Sequence, residues 1–375
     1  MRSALLVNPF GLGDVLFTTP VLRILKKTFP YISLTYMCNY RSAPLLEHNP
    51  YIARILPFSR GDIRKVAQNS KVSAFKKVIS LLKEISKQKF DLLIDFSLDY
   101  RYSMLARILG IPRRIGFDYK GRGRFLTKKI EIEEFKKKHM VDYYLDLLKL
   151  IKIEKQEERV SLDLFLSSMD EQWAEEFLRT KKLEEKKIVG VIPGGGESWG
   201  EMAAYRHWAR EKFAEVADGL VSKYKVDILL LGSGEEKEIC KQVNRLMHKK
   251  AIIVCGQTNI REFAALLKRC ALIICNDGGP LHIAVSQKVP TISLFGPVDE
   301  QVYGPYPPAD KHIVVKKDIA CRPCYKRFKI NLCRERRCLE LISSQEVFQI
   351  AERVMDRIYE KRFDGEDKDS SYSHR

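Results

Sequence analysis

The sequence predicts an α/β protein of two domains, each built on a mostly parallel sheet. Three observations predict it. Short apolar runs alternate with amphipathic stretches from residue 4 onward, the alternation starts afresh near residue 188, and glycine-rich loops follow several of the strand ends. A chain of 375 residues that is 45% hydrophobic can fill two cores of ordinary size.

Residues 4–7 predict the first strand. Residues 15–28 predict a helix, with Val15, Leu16, Val21, Leu22, Ile24 and Leu25 at helical spacing. A second strand is expected over 32–37, a helix over 74–88, a strand over 91–96 and a helix over 139–151. The charge-rich stretch 154–187, carrying one helix over 168–180, is expected to connect the domains. The second series places strands at 188–192, 226–231, 251–254 and 272–274. Its helices fall at 210–223, 235–248 and 260–268. The expected boundaries are 1–165, a connection at 166–187, a second domain at 188–362 and a polar, disordered tail at 363–375.

The formal net charge of +18 calls for an anionic partner. Arg113, Arg114, Lys120 and seven further cations crowd the stretch 113–138, which reads either as a solvated loop and helix face or as an anion-binding surface. No helix-turn-helix, zinc-finger or RNP pattern accompanies the charge, so nucleic acid is not the expected partner. No apolar run is long enough to span a membrane, and the N-terminus lacks the pattern of a signal peptide. The chain is therefore expected in the cytoplasm.

Nine cysteines in such a chain are not expected to form a disulfide framework. Cys38, Cys240, Cys255, Cys270 and Cys275 read as buried thiols. Cys321, Cys324, Cys333 and Cys338 follow a C-x2-C-x8-C-x4-C spacing and are a candidate structural zinc site, with an iron–sulfur cluster or free thiols as alternatives. Four thiolates leave no open position, so a metal there would not be catalytic.

Two sets of loops carry the functional signal. In the first domain Gly11, Gly13 and Asp14 follow the first strand. The third glycine of a dinucleotide fingerprint is missing, with Phe17 in its place, and no Walker motif is present. Asp14 is either an N-cap or a general base. In the second domain Gly194 and Gly195 follow one strand and lead to Arg206, a candidate phosphate clamp. Glu236 follows another strand and is suited to ribose hydroxyls or to the first turn of a helix. Asp277, Gly278, Gly279 and His282 follow a third, where unpaired N–H groups and a helix dipole favour a phosphate.

Together these loops resemble glycosyltransferase family 9, the ADP-heptose:lipopolysaccharide heptosyltransferases. The resemblance rests on the Gly11-Leu12-Gly13-Asp14-Val15-Leu16 run with Thr18, Thr19 and Pro20, on Pro193-Gly194-Gly195 leading to His207-Trp208, and on Asp277-Gly278-Gly279-Pro280-Leu281-His282. Leu294-Phe295-Gly296-Pro297 and Tyr303-Gly304-Pro305 extend it over nearly the whole chain. It implies a GT-B fold: two Rossmann-like domains with parallel sheets facing a central cleft. The nucleotide sugar, ADP-heptose, would lie on the second domain, and Gly194, Gly195, Arg206, Glu236, Asp277, Gly278, Gly279 and His282 would bind it. An anionic glycolipid acceptor would lie on the first domain, near Gly11, Gly13, Arg113, Arg114 and Lys120, with Asp14 as the base. Transfer would invert the anomeric carbon without a metal cofactor, at the cytoplasmic face of the inner membrane. The chain departs from the family where Arg206 stands for a usual lysine and Gly278 for a usual threonine or serine. Rival readings are another nucleotide-sugar enzyme, a non-catalytic nucleotide-sugar-binding protein, or a nucleic-acid-binding protein that uses the charge.

Overall fold

The computed structural model describes residues 1–58, 60–154, 160–330, 333 and 335–366. They divide into two units. The first comprises 1–165 with 301–307 and 326–328, and the second comprises 166–300, 308–325 and 329–375.

The first unit holds β1 (Ser3–Asn8), β2 (Ser33–Cys38), β3 (Arg54–Pro57), β4 (Leu92–Asp95), β5 (Arg113–Tyr119) and β6 (Lys128–Ile132), in the order β3-β2-β1-β4-β5-β6. The second holds β7 (Ile188–Ile192), β8 (Asp227–Leu230), β9 (Ile252–Ile253), β10 (Leu272–Asn276), β11 (Thr291–Leu294) and β12 (His312–Val315), in the order β12-β11-β10-β7-β8-β9. Every pairing in both sheets is parallel. Numbered within its own unit, each sheet has the Rossmann order 3-2-1-4-5-6. The direction of winding reverses between β1 and β4 in one sheet and between β7 and β10 in the other. Ligands of open α/β sheets bind outside the strand ends at such points.

The central strands are apolar because helices cover both faces of a parallel sheet. β1, β4, β7 and β10 are buried almost throughout. The second core centres on Trp208, whose indole N–H donates to the Ile342 carbonyl at 3.0 Å and whose ring meets Phe213 edge-on. The helix Ser344–Glu366 packs on Arg210–Tyr224, tied by Lys223 to Glu352 and by stacking of Tyr224 on Tyr359.

Several expectations are corrected. The helix expected over 15–28 is two helices, Leu12–Phe17 and Thr19–Thr28. Pro20 lies in the first turn of the second, where its missing N–H costs nothing. The basic stretch contains β5 and β6 rather than loop and helix. β6 (KKIEI) is an edge strand with lysines outward, a protection against edge pairing that hides its strand character. The helix Ser168–Thr180, expected in a connection, belongs to the second unit. Its Asp170, Glu171 and Glu175 pair with Arg261, Lys268 and Arg269. Cys240 and Cys255, expected as buried thiols, are buried with their sulfurs against each other. The last helix runs on to Glu366, past the expected start of the tail, and residues 367–375 lie outside the described residues. Among the described residues no helix is long and apolar enough to cross a membrane.

Candidate functional site

In the second unit three strand-end loops meet around the reversal between β7 and β10. Asn276, the last residue of β10, is buried and ties both ends of the loop after β7 to β10. Its amide donates to the carbonyls of Pro193 and Gly194, both at 2.8 Å, and its carbonyl accepts from the Trp208 N–H at 3.0 Å. Sequence reasoning gave Asn276 no role. The available signal was an amide-bearing residue at a buried strand end, where loose backbone groups need a partner.

Asp277 follows, buried, with its carboxylate 3.4 Å from the Arg206 guanidinium, itself buried. Burial pushes the Asp277 carboxyl up, and the charges of Arg206 and Arg322 pull it back. Gly278 packs on the backbone of Gly195, where a β-carbon would run into the Gly195 carbonyl oxygen. That contact accounts for a glycine at this position. Gly279 opens the helix Gly279–Ser286, which carries the buried His282 in its second turn. Its first turn, where Pro280 has no N–H, is the helix end that the sequence reading assigned to a phosphate.

Glu236 is engaged as well. Its Oε1 accepts from the N–H groups of Gly195 and Gly196 and its Oε2 from that of Ser233, all at 2.9 Å. His207 borders the same loop. Burial lowers its ring pKa against the pull of Glu236, and among the described residues its buried Nε2 has no hydrogen-bond partner.

The cysteine-bearing segment clasps these loops through its arginines. Arg322, nearly fully buried, donates to the carbonyls of Gly296 and Val298 and pairs with Glu300 at 2.6 Å. Arg336 donates to the carbonyls of Ala204 and His207. Neither arginine was singled out from sequence. Among the described residues Cys321, Cys324, Cys333 and Cys338 take part in no disulfide, and the first three add to burial in raising the Cys338 thiol. Among the described residues, however, no group of three or more His, Cys, Asp or Glu side chains is gathered to hold a metal ion.

In the first unit, Asp14 is the third residue of the helix Leu12–Phe17, and the N-cap is Gly11. The capping alternative for Asp14 is thereby set aside. Asp14 is half-buried, and its charge raises the phenols of Tyr36 and Tyr144 after the larger effect of burial. Gly11 keeps a negative φ and Gly13 lies within the helix. Asn8 fixes the loop by donating to the Asp14 carbonyl and accepting from the Phe10 N–H. Asp95, at the end of β4 and paired in register with Val7 of β1, shares this strand end. Its Oδ1 accepts from both the N–H and the hydroxyl of Ser97, and burial raises its carboxyl to about 7.

The expected acceptor cations separate. Lys120 follows the C-terminal end of β5, the edge that carries the Asp14 loop, and lies over the Tyr119 ring. Arg113 and Arg114 begin β5 at the opposite edge, about 20 Å away at ~3.3 Å per residue. The Arg114 guanidinium is spent on the Phe125 and Ile111 carbonyls.

A model of glycosyltransferase family 9 (heptosyltransferase) matches residues 78–334. The chain belongs to that family. This glycosyltransferase is 25% identical over 352 residues to lipooligosaccharide heptosyltransferase 2 of Campylobacter jejuni, covering 92% of this chain and 96% of that one. It is 26% identical to lipopolysaccharide heptosyltransferase 3 of Escherichia coli K12, over 78% of this chain and 82% of the relative. A family 9 glycosyltransferase from Veillonella parvula superposes with a TM-score of 0.79 at 26% identity, over 95% of this chain and 98% of that one. E. coli heptosyltransferase II shares the fold, with a TM-score of 0.74 at 18% identity and coverage of 96% and 100%. The enzyme has the GT-B type of architecture, with two Rossmann-like units.

Proposed function

We propose that the enzyme transfers heptose from ADP-heptose to a lipopolysaccharide core acceptor, with inversion at the anomeric carbon and without a metal cofactor. The observation that carries this reading is the buried Arg206–Asp277 pair beside the first turn of the helix Gly279–Ser286, at the strand ends where an open sheet takes a nucleotide. The names of the curated relatives support the acceptor class. E. coli WaaC, which shares the fold, is a heptosyltransferase solved with ADP.

In this mechanism an acceptor hydroxyl oxygen forms the new bond to the anomeric carbon as the bond to the diphosphate oxygen breaks. Asp14 takes the hydroxyl proton. Charge that builds on the departing ADP is met by Arg206 and by N–H groups at Gly278 and Gly279, with His282 close behind. Gly194, Gly195 and Glu236 shape the donor loop. Lys120 and its cationic neighbours meet the anionic acceptor at the inner membrane surface.

The test is transfer of labelled heptose from ADP-heptose to a core oligosaccharide lacking that residue, run with EDTA. Transfer with inverted product supports the reading. Transfer only from another nucleotide sugar replaces the donor, and transfer abolished by EDTA removes metal independence.

A further inference from the structure

We infer that Glu236 is a positioning residue, an internal anion that holds the donor loop in its binding shape. The inference rests on the reading that the loop at residues 194–196 receives the nucleotide. Three backbone N–H groups from two separate strand-end loops converge on this carboxylate, from Gly195, Gly196 and Ser233, each at 2.9 Å. Convergent N–H groups of this kind form a nest, the arrangement with which proteins hold phosphates and other anions. Here the chain supplies the anion itself.

The packing is built around that side chain. A β-carbon at Gly194 would run into Oε1 of Glu236, and one at Gly232 would lie 3.0 Å from Oε2. Gly196 adopts φ +83°, a conformation that suits glycine and turns its N–H toward the carboxylate. A carboxylate has about four lone-pair sites, so three are used before any ligand arrives. The N–H groups of Gly195 and Gly196 are therefore committed to Glu236. The diphosphate is left to Arg206 and the helix that starts at Gly279. Without Glu236 the three N–H groups would lose their partner and the two loops their link.

The experiment uses formate as a replacement anion in the full-length protein. The E236A variant is expected to bind ADP roughly tenfold more weakly than wild type. Formate should restore most of that affinity, while chloride at equal ionic strength should not. Formate should also raise the thermal midpoint of E236A with no nucleotide present, and leave wild type unchanged. E236Q, which keeps one oxygen for Gly195 and Gly196, should fall between the two. Wild-type affinity in E236A, or a loss that formate does not repair, overturns the inference. A loss shared equally by E236Q and unmoved by formate would make Glu236 a direct nucleotide contact instead. If wild type itself fails to bind ADP, the donor reading falls. The nest is then judged by the thermal shift alone, and a flat response in E236A ends it.

Discussion

Arg206 and Asp277 form a buried ion pair, 3.4 Å apart, that joins the loop entering Trp208 to the end of β10. Breaking a buried pair from one side leaves a charge without compensation, at a cost of about 3–5 kcal/mol. Arg206→Met should therefore lower stability in urea by an amount of that order and remove ADP binding. Arg206→Lys keeps the charge but loses the planar fork, and should lose less stability than Arg206→Met. The double variant Arg206→Met/Asp277→Leu should recover stability without activity. Equal stability of all three variants would mean that the pair is not coupled.

Asp14→Asn keeps the shape of the loop and removes the base. Turnover should fall by roughly 10²–10⁴-fold. ADP affinity, measured by calorimetry, should stay within about twofold of wild type. A variant that retains most of the wild-type rate would assign the proton to another group, and Asp95 at the adjacent strand end would be the first to examine.

Gly278 is needed for space. Gly278→Ala would drive a β-carbon into the Gly195 carbonyl, so either the loop or the start of the helix must shift. ADP affinity should fall by roughly tenfold or more. Gly278→Ser would add a hydroxyl to the loop and still lose affinity. Tighter ADP binding by that variant would contradict the packing.

His139 makes stability depend on pH. Its Nδ1 accepts from the Val141 N–H, so Nε2 carries the proton and donates to the Gly304 carbonyl at 3.0 Å. Burial lowers its pKa from 6.5 to about 4, against the smaller pull of that carbonyl. Between those values the unfolded chain binds more protons than the folded one. The stabilisation is thus full above pH 6.5 and is lost as pH falls toward 4. At pH 5 the loss is about 2 kcal/mol relative to neutral pH. Unfolding free energies of wild type and His139→Asn, taken from urea titrations at pH 7.5 and 5, should diverge by that amount. Parallel values would show that His139 is not the titrating group.

The alternation of strands and helices was legible because both periodicities are local. β1, β4, β7 and β10 are short apolar runs, and the helices Ser168–Thr180 and Ile260–Lys268 announce themselves with capping boxes. β5 and β6 were not legible, since arginines and lysines mask a strand whose place is set by its neighbours. The donor loops could be named from glycines and an acid at strand ends. Their internal bonds could not: Asn276 reaches Pro193 across more than eighty residues of chain, and Glu236 reaches Gly195 across forty-one.

Taken alone, the sequence determined the fold class and the family and marked the loops of the candidate site, because periodicity, glycine placement and motif order are written along the chain. Tertiary structure decided which side chains meet. It set Arg206 against Asp277, turned Glu236 inward to its own backbone, and placed Arg113 and Arg114 at the far edge of the sheet from Asp14. The physical reason is that buried polar groups must find partners wherever the packed strands bring them, and sequence distance carries no record of that meeting.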